Sequence, residues 1–148
     1  FELADKKSLL VNVVDEPALC NFIVPAVVRK GPLLASVSTS AAAPAMAKKL
    51  KRVLERSFED GYAPLLEFLS QKRKQIKSAV EDIAMRKRIF DALIDSPLPD
   101  LFLKSNVSSA GDFDFEDYKK NNPGVVEKAE KIFEDVFFKT AGTARGEA

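Results

Sequence analysis

Apolar positions cluster at the start of the chain in short runs, and further on they recur at helical spacing. Leu9–Val14 is apolar and rich in β-branched residues, broken only by Asn12. Such a run predicts a strand buried on both faces, as in a parallel sheet. Asp15 closes it, and ligands of open α/β sheets bind at the carboxyl ends of strands. Glu16–Cys20 predicts one helical turn with Pro17 at its start. Phe22–Val28 and Leu33–Thr39 are two further apolar runs, joined by Arg29-Lys30-Gly31-Pro32. They predict a hairpin with a turn of about four residues. Pro25 places the first of them at a sheet edge or on a bulge.

From Pro44 the period changes. Met46, Leu50, Val53 and Leu54 form one apolar face of a helix over Pro44–Ser57, with Lys48, Lys49, Lys51, Arg52 and Arg56 around the rest. Gly61 breaks the pattern. A second helix is predicted over Ala63–Val80, with Leu65, Leu66, Leu69, Ile76 and Val80 inward. A third spans Glu81–Asp95, with Ile83, Ile89, Phe90, Leu93 and Ile94 apolar, and Ser96-Pro97-Leu98-Pro99 stops it. Residues 100–112 are predicted as loop, anchored by Leu101-Phe102-Leu103. Asn122 and Pro123 read as the cap and first residue of a last helix. Its apolar face runs from Val125 to Phe137 and the helix to Lys139, with Thr140–Ala148 as a disordered tail. Phe1–Lys7 reads as the last turns of a helix leading straight into the Leu9 run, as in a fragment of a longer unit.

Charge narrows the partners. With 23 basic and 22 acidic residues the net charge is +1, so a nucleic-acid partner has no global support. A single cysteine, Cys20, excludes an intramolecular disulfide framework and fits a cytoplasmic setting. No apolar run approaches the ~18 residues of a membrane-spanning helix. Histidine is absent, so proton transfer near neutral pH falls to carboxylates, lysines, hydroxyls or water.

Asp15 reads either as a turn acid for the Pro17 turn or as a general base at a strand end, its affinity for protons raised by partial desolvation. Asn12 points to the face opposite Asp15, among apolar neighbours where its amide must be hydrogen-bonded. Ser38, Thr39 and Ser40 precede the Pro44 helix. Capping explains one hydroxyl, and three together with free N–H groups suit an anion. Arg29 and Lys48 are the better placed of the local cations, on a background of solvated basic residues. Cys20 reads as a small buried hydrophobe. Asp112, Asp114, Glu116 and Asp117 lack the spacing of a calcium loop and read as solvent-facing.

The first hundred residues resemble a known family. N-V-V-D at Asn12–Asp15, E-P-x-L-C-x-F-I-V-P-A-V-V-R-K-G-P-L at Glu16–Leu33, and Ser38-Thr39 followed by A-P-A-M-A at Ala43–Ala47 are similar to the precorrin-2 dehydrogenase and sirohydrochlorin ferrochelatase module of siroheme synthase. Arg86–Phe90 and Ser96–Leu98 continue the resemblance more weakly. It implies an α/β fold class. A partial Rossmann-type NAD-binding unit over residues 1–21 would be followed by a β-hairpin and helix dimerisation region over 22–57 with the substrate-site loop. A mostly α-helical domain over 58–139 would come last. The resemblance implies NAD-dependent oxidation of precorrin-2 to sirohydrochlorin, then insertion of Fe²⁺ as substrate to give siroheme, in a homodimer. Asp15 would be the shared base, and Asn12, Ser38, Thr39, Ser40, Arg29 and Lys48 would bind the tetrapyrrole. Metal-holding residues stay unassigned. Relatives carry a glycine fingerprint upstream, and no G-x-G-x-x-G occurs here, so the NAD phosphate site is expected outside this chain. Ser40 and Ala41 stand where relatives have two glycines, which restricts positive φ and close backbone approach. A dehydrogenase without chelatase activity, or a non-catalytic dimerisation and tetrapyrrole-binding fragment, are the alternatives.

Overall fold

A computed structural model of the chain describes residues 1–107 and 113–143. It is mostly helical, with one two-stranded sheet among the described residues. The backbone divides into two compact units, Phe1–Arg29 with Leu34–Phe58, and Lys30–Leu33 with the chain from Glu59 onward.

The first unit opens with a short helix, α1 (Glu2–Lys6), as predicted. The strand expected at Leu9–Val14 does not form, and no Rossmann-type unit is seen among the described residues. Leu9, Leu10 and Val14 are exposed, Val14 by 81%. A strand exists only through a neighbour's ladder, and here side chains replace one. The Val11 N–H donates to Asn21 Oδ1 at 2.7 Å, Asn21 Nδ2 donates to the Leu9 carbonyl at 2.9 Å, and the Asn21 N–H donates to the Val11 carbonyl at 3.0 Å. Asn side chains mimic a backbone pair in this way and hold a loop instead of a sheet.

A 3₁₀ turn follows at Pro17–Leu19, then β1 (Ala26–Lys30) and β2 (Leu33–Val37). The turn between them has two residues and not four. Gly31, at φ +53°, takes its first central position, and Pro32 the second. Positive then negative φ is the sign pattern of a type II′ turn, whose twist suits a hairpin. The helix α2 (Pro44–Ser57) has the predicted bounds, but it buries no residue, and Met46, Leu50 and Val53 of its apolar face are 49%, 41% and 52% exposed.

The second unit carries the core. Its helices are α3 (Tyr62–Ala79), α4 (Ile83–Ile94), α5 (Leu98–Leu103), α6 (Phe115–Asn121) and α7 (Pro123–Thr143). Phe68, Ile76, Ile89, Leu93, Leu98 and Phe102 are fully buried, and α7 packs on α4 and α5. Of the apolar residues of α4, Ile83 and Ile94 are exposed, while Met85 takes an inward place. The segment predicted as loop from residue 100 instead begins inside a helix. Ser96 Oγ accepts the Leu98 N–H at 3.1 Å, and Pro99 sits in the first turn, where its missing N–H loses nothing. The stop signal of α4 is thus the start signal of α5.

Asp114 caps α6 by accepting the Asp117 N–H at 3.0 Å, while Asp112 of the same acidic stretch lies outside the described residues. Asn122 begins α7 with its carbonyl and closes α6 with its amide, which donates to the Tyr118 carbonyl at 3.1 Å. The helix runs on to Thr143, past the expected end at Lys139. No proline intervenes between Phe138 and Thr143, so the loss of large apolar residues there does not by itself end the helix. Residues 144–148 of the expected tail lie outside the described residues.

Burial holds the Tyr118 phenol above its ordinary value of 10.0, partly countered by its hydrogen bond to Ser105. A raised pKa favours the neutral form in the folded state. This contribution is therefore complete below pH ~10 and lost as pH rises through the folded value. An ultraviolet titration should show one of the two tyrosines ionising above the ordinary range, and Tyr118→Phe should remove that late step.

One core residue escaped the sequence pattern. Lys72 is 5% exposed, ion-paired with Glu130 of α7, and its ammonium lies 5.1 Å from the Phe68 ring centroid and 4.6 Å from that of Phe133. The signal was its position: it continues the apolar ladder Leu65, Leu69, Ile76 at helical spacing.

Candidate functional site

The first unit contains both segments singled out by the sequence. Asp15 follows the loop stapled by Asn21. It is exposed, so the expected partial desolvation is not found, and its φ of +60° is left-handed. Asparagine and aspartate tolerate that region better than other branched or bulky side chains, yet it is still uncommon. Asn12, expected to be buried, is exposed, and Asn12 Nδ2 donates to the Phe22 carbonyl at 3.0 Å. Cys20 is half-buried. Its Sγ accepts the Val13 N–H at 3.1 Å and lies 3.3 Å from the Glu16 carbonyl. It therefore ties the two arms of the Asp15 turn together rather than filling a core.

Ser38, Thr39 and Ser40 form one hydrogen-bonded turn at the foot of α2. Ser38 Oγ accepts the Ser40 N–H at 3.1 Å, and Thr39 Oγ1 accepts the Ala43 N–H at 3.2 Å. Each hydroxyl keeps its own proton to donate outward, and the hydroxyl of Ser40 bonds to nothing among the described residues. Such a turn can offer several O–H donors to one carboxylate. Ser40 and Ala41 have φ of +52° and +65°, although neither is glycine. The left-handed backbone expected to be denied by these residues is adopted all the same.

Non-glycine residues at positive φ carry strain of about 1 kcal/mol or more each. Four such residues occur among those described: Ser8, Asp15, Ser40 and Ala41. Three of the four belong to the candidate base and the hydroxyl turn. Glycine at 40 and 41 should relieve strain while raising unfolded-chain entropy by ~0.5–1 kcal/mol per site. The double variant Ser40→Gly/Ala41→Gly is therefore expected to gain about 1 kcal/mol in a urea melt, where glycine ordinarily destabilises. A loss of stability would show that the turn is unstrained.

Arg29 is exposed on β1 and Lys48 is exposed on α2. Neither is hydrogen-bonded to Asp15 or to the hydroxyl turn. Among the described residues no three His, Cys, Asp or Glu side chains cluster to hold a metal ion. Among the described residues no helix is long and apolar enough to cross a membrane.

Comparison with known proteins bears out the resemblance. Residues 61–112 match the family model described as the sirohaem synthase dimerisation region, which begins at Gly61 and takes in α3, α4 and α5. The siroheme synthase of Saccharophagus degradans is 33% identical over 102 residues, covering 69% of this chain and 22% of that protein. That of Acinetobacter baylyi is 34% identical over 110 residues, 74% of this chain and 24% of that protein. The siroheme synthase of Xylella fastidiosa is 36% identical over 107 residues, 72% and 22% respectively. The chain thus spans about a quarter or less of the length of these relatives.

Proposed function

From this kinship with siroheme synthases we propose that the chain serves siroheme formation as a homodimer, binding a polycarboxylate tetrapyrrole and assisting Fe²⁺ insertion with Asp15 as base. The observation that carries this reading is the left-handed strain at Asp15, Ser40 and Ala41. Strain of this kind collects where a backbone is held for function. Two segments named by their similarity to one enzyme family are held in this way.

Insertion of Fe²⁺ into sirohydrochlorin releases two pyrrole protons as two N–H bonds break and the metal takes their place. Asp15, open to water, accepts a proton and passes it to solvent before taking the second. The Ser38, Thr39 and Ser40 hydroxyls donate to ring carboxylates. Arg29 and Lys48 add positive charge around them, and Asn12 keeps its structural hydrogen bond.

NAD-dependent oxidation of precorrin-2 belongs to the same reading. The residues described here do not fit a dinucleotide. There is no glycine fingerprint, and Leu9–Val14 is not paired in a sheet. The match to a dimerisation region favours one second reading, a binding and dimerising module without its own chemistry.

The test is direct. The chain is titrated with sirohydrochlorin, Fe²⁺ is added, and ring metallation is followed by absorbance against the spontaneous rate, with mass measured by sedimentation. Dimers that bind the ring and accelerate metallation are expected. Binding without acceleration would establish the module reading, and no binding would overturn both.

A further inference from the structure

We propose that the second unit carries a binding site for an organic polyanion with an apolar body, in the cleft between the end of α3 and the start of α4. The cleft has a volume of about 520 Å³, within the range of small-molecule sites. Its cations are Arg73 and Lys77 from α3 and Arg86 and Lys87 from α4, and no acidic residue lines it. None of the four is ion-paired with a carboxylate among the described residues. Asp82, next to the cleft in sequence, is occupied in capping α4 through the N–H groups of Ala84 and Met85.

The floor is apolar. Ile76 and Phe90 line it, and Ile83 at the rim is 78% exposed. Four like charges around one cleft repel each other, and its apolar wall faces water. One ligand relieves both, its acid groups meeting the cations and its body covering the wall. The two guanidiniums are already positioned. Arg86 Nε donates to the Val80 carbonyl at 2.6 Å, which leaves its Nη groups for a ligand, and the Arg73 guanidinium lies 5.7 Å from the Phe90 ring centroid. Guanidiniums held in this way grip carboxylate or phosphate through paired hydrogen bonds with little further ordering. The site is made of residues other than those of the Asp15 and Ser38–Ala43 segments, and it does not rest on the tetrapyrrole reading.

The probes are mellitate, an aromatic ring bearing only carboxylates, and ATP, an aromatic base bearing phosphates. Citrate and pyrophosphate supply charge without an apolar body. Calorimetric titration of the full chain at physiological salt is expected to give one site for mellitate or ATP, at least tenfold tighter than for citrate and pyrophosphate. Which of the two binds identifies the acid group. Arg73→Gln/Arg86→Gln should weaken it at least tenfold. Ile83→Glu, an exposed change in the first turn of α4 where an acid suits the helix, should do the same by repulsion without disturbing the fold. Equal binding of all four anions, affinity unchanged in both variants, or no binding would overturn the site. Metallation assays on the Asp15 segment are read separately, so either proposal can fail alone.

Discussion

Gly61→Ala is expected to destabilise the second unit by about 3 kcal/mol or more, the upper range for forcing atoms into a packed interior. The reason is room and not backbone freedom. Gly61 has φ −60° and ψ −16°, an ordinary right-handed conformation just before α3. Alanine would suit that conformation, and on propensity alone it would stabilise. A Cβ there, however, would strike the Phe102 carbonyl oxygen, and would lie 2.6 Å from Leu103 Cα and 2.8 Å from the Phe102 carbonyl carbon. These are backbone atoms of α5, and Phe102 is fully buried against Phe68, with ring centroids 5.4 Å apart. Neither side can yield without moving α5 off α3. At 4–8 °C per kcal/mol for a unit of this size, the melting temperature should fall by more than about 10 °C. Gly124→Ala is the control. Its Cβ would meet nothing within 4 Å, so its melting temperature should hold or rise. Equal losses in the two variants would show that close packing at Gly61 is not the cause.

Asp15→Asn should lower the rate of Fe²⁺ insertion by 10²–10⁴, the usual worth of a positioned base. Asparagine is the informative replacement, because it accepts the left-handed backbone that Asp15 occupies at φ +60°. It also keeps the size of the side chain. What it loses is the carboxylate that takes the proton. Alanine would mix that loss with strain. The loop should survive the change, since its hydrogen bonds run through Asn21, Asn12 and Cys20 and not through Asp15. Sirohydrochlorin affinity should therefore stay within about threefold while the metallation rate collapses. A rate within threefold of the unaltered chain would make Asp15 a turn residue only, with the proton going directly to water.

Much of the helical unit is legible in the sequence. The apolar period of Leu65, Leu69 and Ile76, the Asn122-Pro123 start and the Pro44 start all describe local events, in which one residue's backbone and the residues three or four away decide the outcome. The resemblance of Asn12–Leu33 to siroheme synthases was likewise carried by the residues in order. Three features were not local. Leu9–Val14 has the composition of a buried strand, but a strand needs a ladder, and side chains of Asn21 and Cys20 meet its backbone instead. Lys72 occupies an apolar register, and the approach of Glu130 and Phe133 from α7, added to its local contacts with Phe68 and Gln75, makes a buried ammonium tolerable there. Ser40 and Ala41 have no intrinsic taste for positive φ, and their turn takes it because the Ser38 and Thr39 hydroxyls and the start of α2 constrain both ends. The order of residues by itself determined the helices, their caps and the family likeness. Tertiary structure alone decided which apolar runs find partners, which charges are buried, and where the backbone is strained, because each depends on groups distant in sequence arriving at the same place.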